Sequence, residues 1–138
     1  MTSVVLVGGG RMGALIREAL EADGGFEVLG CYDVSNSGDL DERAPRADLA
    51  IDFSNRAALP HVEAYVRRTH AALVSGTTGF DEPELARMHA LGDVAPVIHA
   101  ANYSLGVAVL RRVTAEAAAA LDGWDVEIVE THHNQKAD

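Results

Sequence analysis

The stretch Val4-Val5-Leu6-Val7-Gly8-Gly9-Gly10-Arg11-Met12-Gly13 constrains the fold more than any other part of the chain. Four apolar residues, three of them β-branched, predict a short buried strand. Glycines follow at once, and a helical pattern from Ala14 to Ala22 follows them. Gly8, Gly10 and Gly13 match G-x-G-x-x-G in the strand–turn–helix setting that gives the motif physical meaning. The first glycine makes the tight turn, the second lets a pyrophosphate approach the backbone, and the third lets helix and strand pack closely. The helix N-terminus offers N–H groups and partial positive charge to phosphates. A glycine-rich turn with no ligand is the competing reading, and the placement of Asp33 weighs against it. Asp33 ends the second expected strand, Phe26 to Tyr32, twenty residues after Gly13. An acid at that place hydrogen-bonds the adenosine ribose. It also repels a 2′-phosphate, and no arginine or lysine stands between Asp33 and Asp41 to offset it.

The pattern then alternates strand and helix. Residues 35–46 hold Asn, Gly, Asp and Pro and read as a polar loop. Strands are expected at 48–53, 71–74 and 95–98. A helix begins between Ala57 and Pro60, since proline is tolerated in a first turn. Asp81 and Glu84 have capping-box spacing and start another helix, running to about Leu91. Ser104 caps a long helix from Leu105 to Leu121. Such alternation predicts an α/β fold, a Rossmann-like doubly wound parallel sheet with helices on both faces. Trp124-Asp125-Val126-Glu127-Ile128 alternates apolar and charged residues instead, as a half-exposed strand does. It is expected to open a second α+β domain, so the division is 1–123 for a dinucleotide-binding domain and 124–138 for the start of another.

Charge narrows the partners. With 21 acids against 11 bases the net charge is −10, which argues against nucleic acid or an anionic membrane. No apolar run is long enough for a signal peptide or a membrane span, so a cytoplasmic location is expected. Cys31, the single cysteine, lies in an apparent strand and reads as a buried, inert thiol.

Three further groups carry chemistry. Gly76, Thr77 and Thr78 follow the fourth strand, and Ala100, Ala101, Asn102 and Tyr103 follow the fifth. Both sit where ligands bind an open parallel sheet, outside the carboxyl ends of its strands; ordinary turns and loops are the alternative. The third is Glu130-Thr131-His132-His133-Asn134-Gln135-Lys136. Adjacent histidines on a strand point to opposite faces, and no cysteine or third histidine stands nearby, so no metal is expected. Lys136 is the only lysine among the 11 bases. A histidine exchanges protons near neutral pH and a lysine can hold or protonate an imine-bearing anion, whereas the plain alternative is a solvated tail. His61, His70, His89 and His99 are scattered and read as surface or packing residues.

With these blocks in this order, the chain resembles the 4-hydroxy-tetrahydrodipicolinate reductase (dihydrodipicolinate reductase) family of lysine and diaminopimelate biosynthesis. The resemblance rests on Gly10-Arg11-Met12-Gly13, Ile51-Asp52-Phe53-Ser54, Ser75-Gly76-Thr77-Thr78-Gly79-Phe80, Ala100-Ala101-Asn102-Tyr103-Ser104 and Glu130 to Asp138. It implies an NAD(P)H-dependent oxidoreductase that reduces the dihydropyridine formed when 4-hydroxy-tetrahydrodipicolinate loses water. The implied substrate is a cyclic imino dicarboxylate, and the implied assembly a homotetramer. Gly8, Gly9, Gly10, Arg11, Met12 and Gly13 would hold the pyrophosphate and Asp33 the ribose. Gly76, Thr77 and Thr78 would line the nicotinamide, with Ala100 to Tyr103 beside it. His132 would be the acid/base group, Lys136 the proton donor near the ring nitrogen, and His133 a ligand for substrate carboxylate. Many members carry a basic residue after the acid, whereas Val34 follows Asp33 here, so NADH is expected over NADPH. The family motif continues with a Pro-Ser-Gly-Thr segment, and 138 residues resemble the N-terminal part of a longer protein, a part expected to be inactive alone. Two other readings are a non-catalytic NAD-binding redox-sensing or regulatory module, and a related imine reductase with another substrate.

Overall fold

The computed structural model describes residues 1–129 and 131. The chain divides into two compact units, Met1–Ala101 and Asn102–Asp138.

The first unit is built on β1 (Thr2–Val7), whose Val4 to Val7 are buried on both sides. Successive side chains of a strand point to opposite faces. Val5 and Val7 accordingly enter one apolar cluster, while Val4 and Leu6 enter another. Helix α1 (Arg11–Asp23) covers the second face with Ile16 and Leu20, and ends on Gly24 in the left-handed conformation. The first face is covered by α2 (Ser37–Glu42), α3 (Leu59–Thr69) and α4 (Glu82–Ala90), through Leu40, Tyr65, Val66 and Met88 among others. Between the helices run β2 (Phe26–Tyr32), β3 (Leu49–Asp52), β4 (Ala72–Ser75) and β5 (Val97–His99). All pairings are parallel, in the order β2-β1-β3-β4-β5. This is a doubly wound α/β sheet whose winding reverses between β1 and β3. The capping box expected at α4 is formed in full, with Asp81 accepting from the Glu84 amide and Glu84 accepting from the Asp81 amide.

The polar loop expected at 35–46 contains a helix instead, α2. Leu40 is its anchor, fully buried beneath α3. Arg68 of α3 secures the other end, donating to the carbonyls of Leu40, Asp41 and Ala44 while stacking on the Tyr65 ring. Hydrogen bonds from a charged donor contribute more than neutral ones. Arg68→Ala is therefore expected to lower unfolding free energy by about 1–3 kcal/mol, read as a shifted urea midpoint; an unchanged midpoint would contradict this account.

The second unit contains α5 (Leu105–Ala120), capped by Ser104, whose hydroxyl accepts from the Val107 amide. No residue of α5 is buried, and Leu105, Val109, Leu110 and Val113 are exposed. The second compact unit begins at Asn102, before α5. The strand expected at 124–128 is not formed: residues 125–129 carry no ladder, and Trp124, Val126, Ile128 and Val129 are exposed. A lone alternating segment is not a strand until another strand takes its N–H and C=O groups, and the described residues of this unit supply none.

Candidate functional site

Where a doubly wound sheet reverses, the loops after the two central strands separate and leave a crevice at their carboxyl ends. Here those loops are Gly8–Gly10 after β1 and Phe53–Asn55 after β3. A cleft opens between them, lined by Gly8, Gly9, Gly10, Asp33, Val34, Ser35, Ser54 and Asn55.

The glycines of the turn have separate reasons to be glycine. Gly8 has φ +110°, and a Cβ there would run into the Phe53 carbonyl. On Gly13, a Cβ would collide with the Gly8 carbonyl oxygen, so its absence sets how closely α1 approaches β1. Gly9 lies under Asp33, since a Cβ on it would stand 2.9 Å from Asp33 Oδ2. Gly10 differs from all three. Its φ is −76°, and a Cβ on it would meet nothing within 4 Å. Internal packing does not require glycine at position 10. It also caps α1 without a side-chain hydrogen bond, and the first turn of α1 holds no acid. Open space before uncapped helix N–H groups is what a pyrophosphate requires. Arg11 and Met12 stand exposed in that first turn and do not line the cleft.

Asp33 is held in place locally. Its Oδ1 accepts from the Ser35 amide at 2.8 Å and the Ser35 hydroxyl at 2.6 Å. Its own amide donates to Asn36 Oδ1, and Asn36 Nδ2 donates to the Cys31 carbonyl. The Ser35 hydroxyl, then the Ser35 amide, hold the Asp33 carboxyl below the usual carboxylate range. With Oδ1 taken, Oδ2 is the oxygen that faces the glycine turn. Cys31 beneath it is half-buried, and burial, then the nearby Asp33, raises its thiol pKa.

A second cleft follows β4 and β5, lined by Thr77, Thr78, Gly79, Phe80, Leu85, His99 and Ala101. Gly76 lines neither cleft. The Phe53 ring lies against it, and a Cβ on Gly76 would fall 2.7 Å from Phe53 Cδ1. Ala100 follows β5, its amide donating to the Ser75 carbonyl. Asn102 and Tyr103 belong to the second unit, where Asn102 Oδ1 accepts from the Ser104 amide. His132, His133 and Lys136 lie outside the described residues.

His99, read from the sequence as scattered, belongs to the second cleft. Its Nε2 lies 3.0 Å from the Thr77 carbonyl oxygen, and its ring tilts against Phe80. A carbonyl oxygen only accepts, so that contact places the proton on Nε2. The other residues missed are Ser54 and Asn55, which line the first cleft, and Asp52, which carries no exposed surface to speak of at 1%. The available signals were an acid closing an apolar strand, Leu49-Ala50-Ile51-Asp52, and the Ile51-Asp52-Phe53-Ser54 block of the resemblance.

Known proteins resemble this chain along most of its length. A family model described as "Dihydrodipicolinate reductase, N-terminus" matches residues 2–103, and one described as "Dihydrodipicolinate reductase, C-terminus" matches residues 106–138. Among curated relatives, a 4-hydroxy-tetrahydrodipicolinate reductase of Campylobacter jejuni is 39% identical over 129 residues, 94% of this chain and 52% of that protein. One from Gluconacetobacter diazotrophicus is 39% identical over 136 residues, covering 94% of this chain and 53% of its own length. Another, from Caldanaerobacter subterraneus, is 35% identical over 136 residues, covering 94% and 54%. The chain thus spans about half the length of the curated relatives it matches. Two solved structures share the fold alone. The signal receiver domain of a modulated diguanylate cyclase from Desulfovibrio desulfuricans has TM-score 0.55 at 21% identity, covering 83% of this chain and 92% of that one. Apo saccharopine dehydrogenase from Saccharomyces cerevisiae has TM-score 0.54 at 18% identity, covering 72% and 27%.

Proposed function

The chain belongs to the dihydrodipicolinate reductase family, and we propose that it binds NADH and serves the reduction of the cyclic imino dicarboxylate derived from 4-hydroxy-tetrahydrodipicolinate, yielding tetrahydrodipicolinate for lysine and diaminopimelate synthesis. The observation that carries the cofactor assignment is Gly10, a glycine that internal packing does not require, beside an Asp33 whose Oδ2 faces the same turn. When bound, the dihydronicotinamide supplies a hydride to the imine-bearing ring. The residues of this chain do the rest. Gly8 to Gly13 and the α1 N-terminus hold the pyrophosphate, Asp33 accepts from the ribose hydroxyls, and Thr77, Thr78 and Ala101 border the nicotinamide, with Ala100 before Ala101 and Asn102 and Tyr103 after it in the chain. His132 and Lys136 supply the proton, and His133 holds a substrate carboxylate. The exposed apolar stripe of α5 supports a self-associating enzyme, which we read as a homotetramer in the full-length protein. A diffusible biosynthetic substrate and cofactor support a cytoplasmic setting.

Cofactor preference follows from charge. A carboxylate placed for the ribose repels a 2′-phosphate in any dielectric. NADH is expected to bind on the order of tenfold or more tighter than NADPH, and Asp33→Ala to narrow the gap. Since Ser35 lowers the Asp33 pKa, the preference is expected to persist through the usual carboxylate range. It disappears only as pH falls through the lowered value, where protonation removes the repulsion. Linkage has the same sign: the stability these Ser35 contacts add is present above the ordinary carboxylate pKa and is lost as pH falls through the folded-state one. Fluorescence titration with both cofactors across pH is the check, and tighter NADPH binding by the unaltered protein would overturn the assignment.

A further inference from the structure

Asp52 closes β3 as a buried acid, and its two oxygens serve different partners. Oδ1 accepts from the Ser54 hydroxyl and, at 3.2 Å, the Ser54 amide. Oδ2 accepts from Ser75 Oγ at 3.0 Å and Thr77 Oγ1 at 2.9 Å. The Ser54 amide also donates to Thr77 Oγ1 at 3.1 Å, which closes the network. A buried carboxylate is costly unless donors surround it, and the same donors make such a hub stiff. Ser54 lines the cleft at the glycine turn, and Thr77 lines the cleft after β4 and β5. Asp52 thus bonds one residue of each cleft.

We propose that Asp52 is a positioning residue which fixes the spacing of the two clefts, so that one dinucleotide engages both at once. The inference rests on the dinucleotide reading above. It does not require Asp52 to touch the ligand. The Thr77 hydroxyl gives its one proton to Asp52 and accepts from the Ser54 amide, so it has no proton left to offer a ligand. Loss of that hydroxyl removes a donor from the hub and none from the ligand. Ser75 supplies a control: it donates to the same Oδ2 but lines neither cleft.

The test compares two ligands on the full chain. NADH spans both clefts, whereas ADP-ribose lacks the nicotinamide. Asp52→Asn offers one accepting oxygen and an amide that only donates, and Thr77→Val removes the hydroxyl at similar volume. Each is expected to weaken NADH about tenfold or more, and ADP-ribose by no more than about threefold. The double variant should be no worse than the more damaging single one, since both act on one network. Thr77→Ser keeps the hydroxyl and should restore NADH binding, and this arm decides the matter if Asp52→Asn does not fold. Ser75→Ala is expected to leave both affinities within about threefold, whatever it does to melting temperature. Equal losses for the two ligands, or no loss at all, would overturn the positioning role while leaving the dinucleotide site intact. Failure of the unaltered chain to bind either ligand would overturn both.

Discussion

Gly13→Ala is expected to lower melting temperature and NADH affinity together, whereas Gly10→Ser lowers affinity alone. At position 13 the added methyl meets the Gly8 carbonyl oxygen. Helix α1 must then move off β1, and such overpacking typically costs about 1–3 kcal/mol. In a unit of this size each kcal/mol lowers the melting temperature by about 4–8 °C. The helix that moves is also the one whose N-terminus faces the cleft, so NADH is lost with stability. Gly8→Ala should be worse, because strain from φ +110° adds to a collision with Phe53. Gly10→Ser reverses the balance. Position 10 already has the extended backbone of an N-cap, and its surroundings are open. Serine is a better cap than glycine by a few tenths of a kcal/mol, so melting temperature should hold or rise slightly. Yet the new side chain fills the space left for the pyrophosphate, and its hydroxyl takes the N–H groups a phosphate would take. NADH affinity should fall about tenfold or more. Melting curves and fluorescence titrations on the three variants separate the cases. Equal NADH affinity in Gly10→Ser would remove the argument that position 10 is glycine for a ligand.

That contrast also indicates what a sequence can disclose. The apolar run at Val4–Val7 announced a central strand, because burial on both faces leaves no room for polar residues. Asp81 and Glu84 announced a helix start, because a capping box is a local contract between backbone and side chain. Features that depend on distant partners were hidden. Helix α2 looks like a loop from Asn36, Gly38 and Pro45; it exists because Leu40 finds the underside of α3 and Arg68 caps its end. His99 gave no hint of the second cleft, since its partner Thr77 is 22 positions away. Nor does the sequence disclose that the ring of Phe53 lies beside Gly76, 23 positions away. The strand pattern at 124–128 was read correctly as alternation, but alternation specifies a face and not a partner.

Lys136→Ala and His132→Ala are each expected to lower kcat by ~10²–10⁴-fold, the usual contribution of a positioned acid or base. Melting temperature and NADH affinity should scarcely change. The chemistry sets the requirement. Reducing a carbon–nitrogen double bond places a hydride on carbon and leaves a proton to be supplied to nitrogen. Negative charge develops on that nitrogen as the hydride arrives, so a cation near it is worth more in the transition state than in the bound substrate. Lysine suits the task, as a compact point charge whose three protons can be aimed. This chain, with ten arginines among its 11 bases, keeps its one lysine three residues beyond a histidine pair. Histidine alone changes charge near neutral pH without help from its surroundings, which fits His132 for returning a proton between turnovers. His133→Ala should show a different signature, raising KM for substrate more than it lowers kcat, because a group that holds a carboxylate contributes equally to ground and transition states. Steady-state kinetics on catalytically active protein, with thermal melts on the same samples, test all three. Full kcat in Lys136→Ala, or a loss explained by unfolding, would return residues 131–138 to the role of a solvated segment.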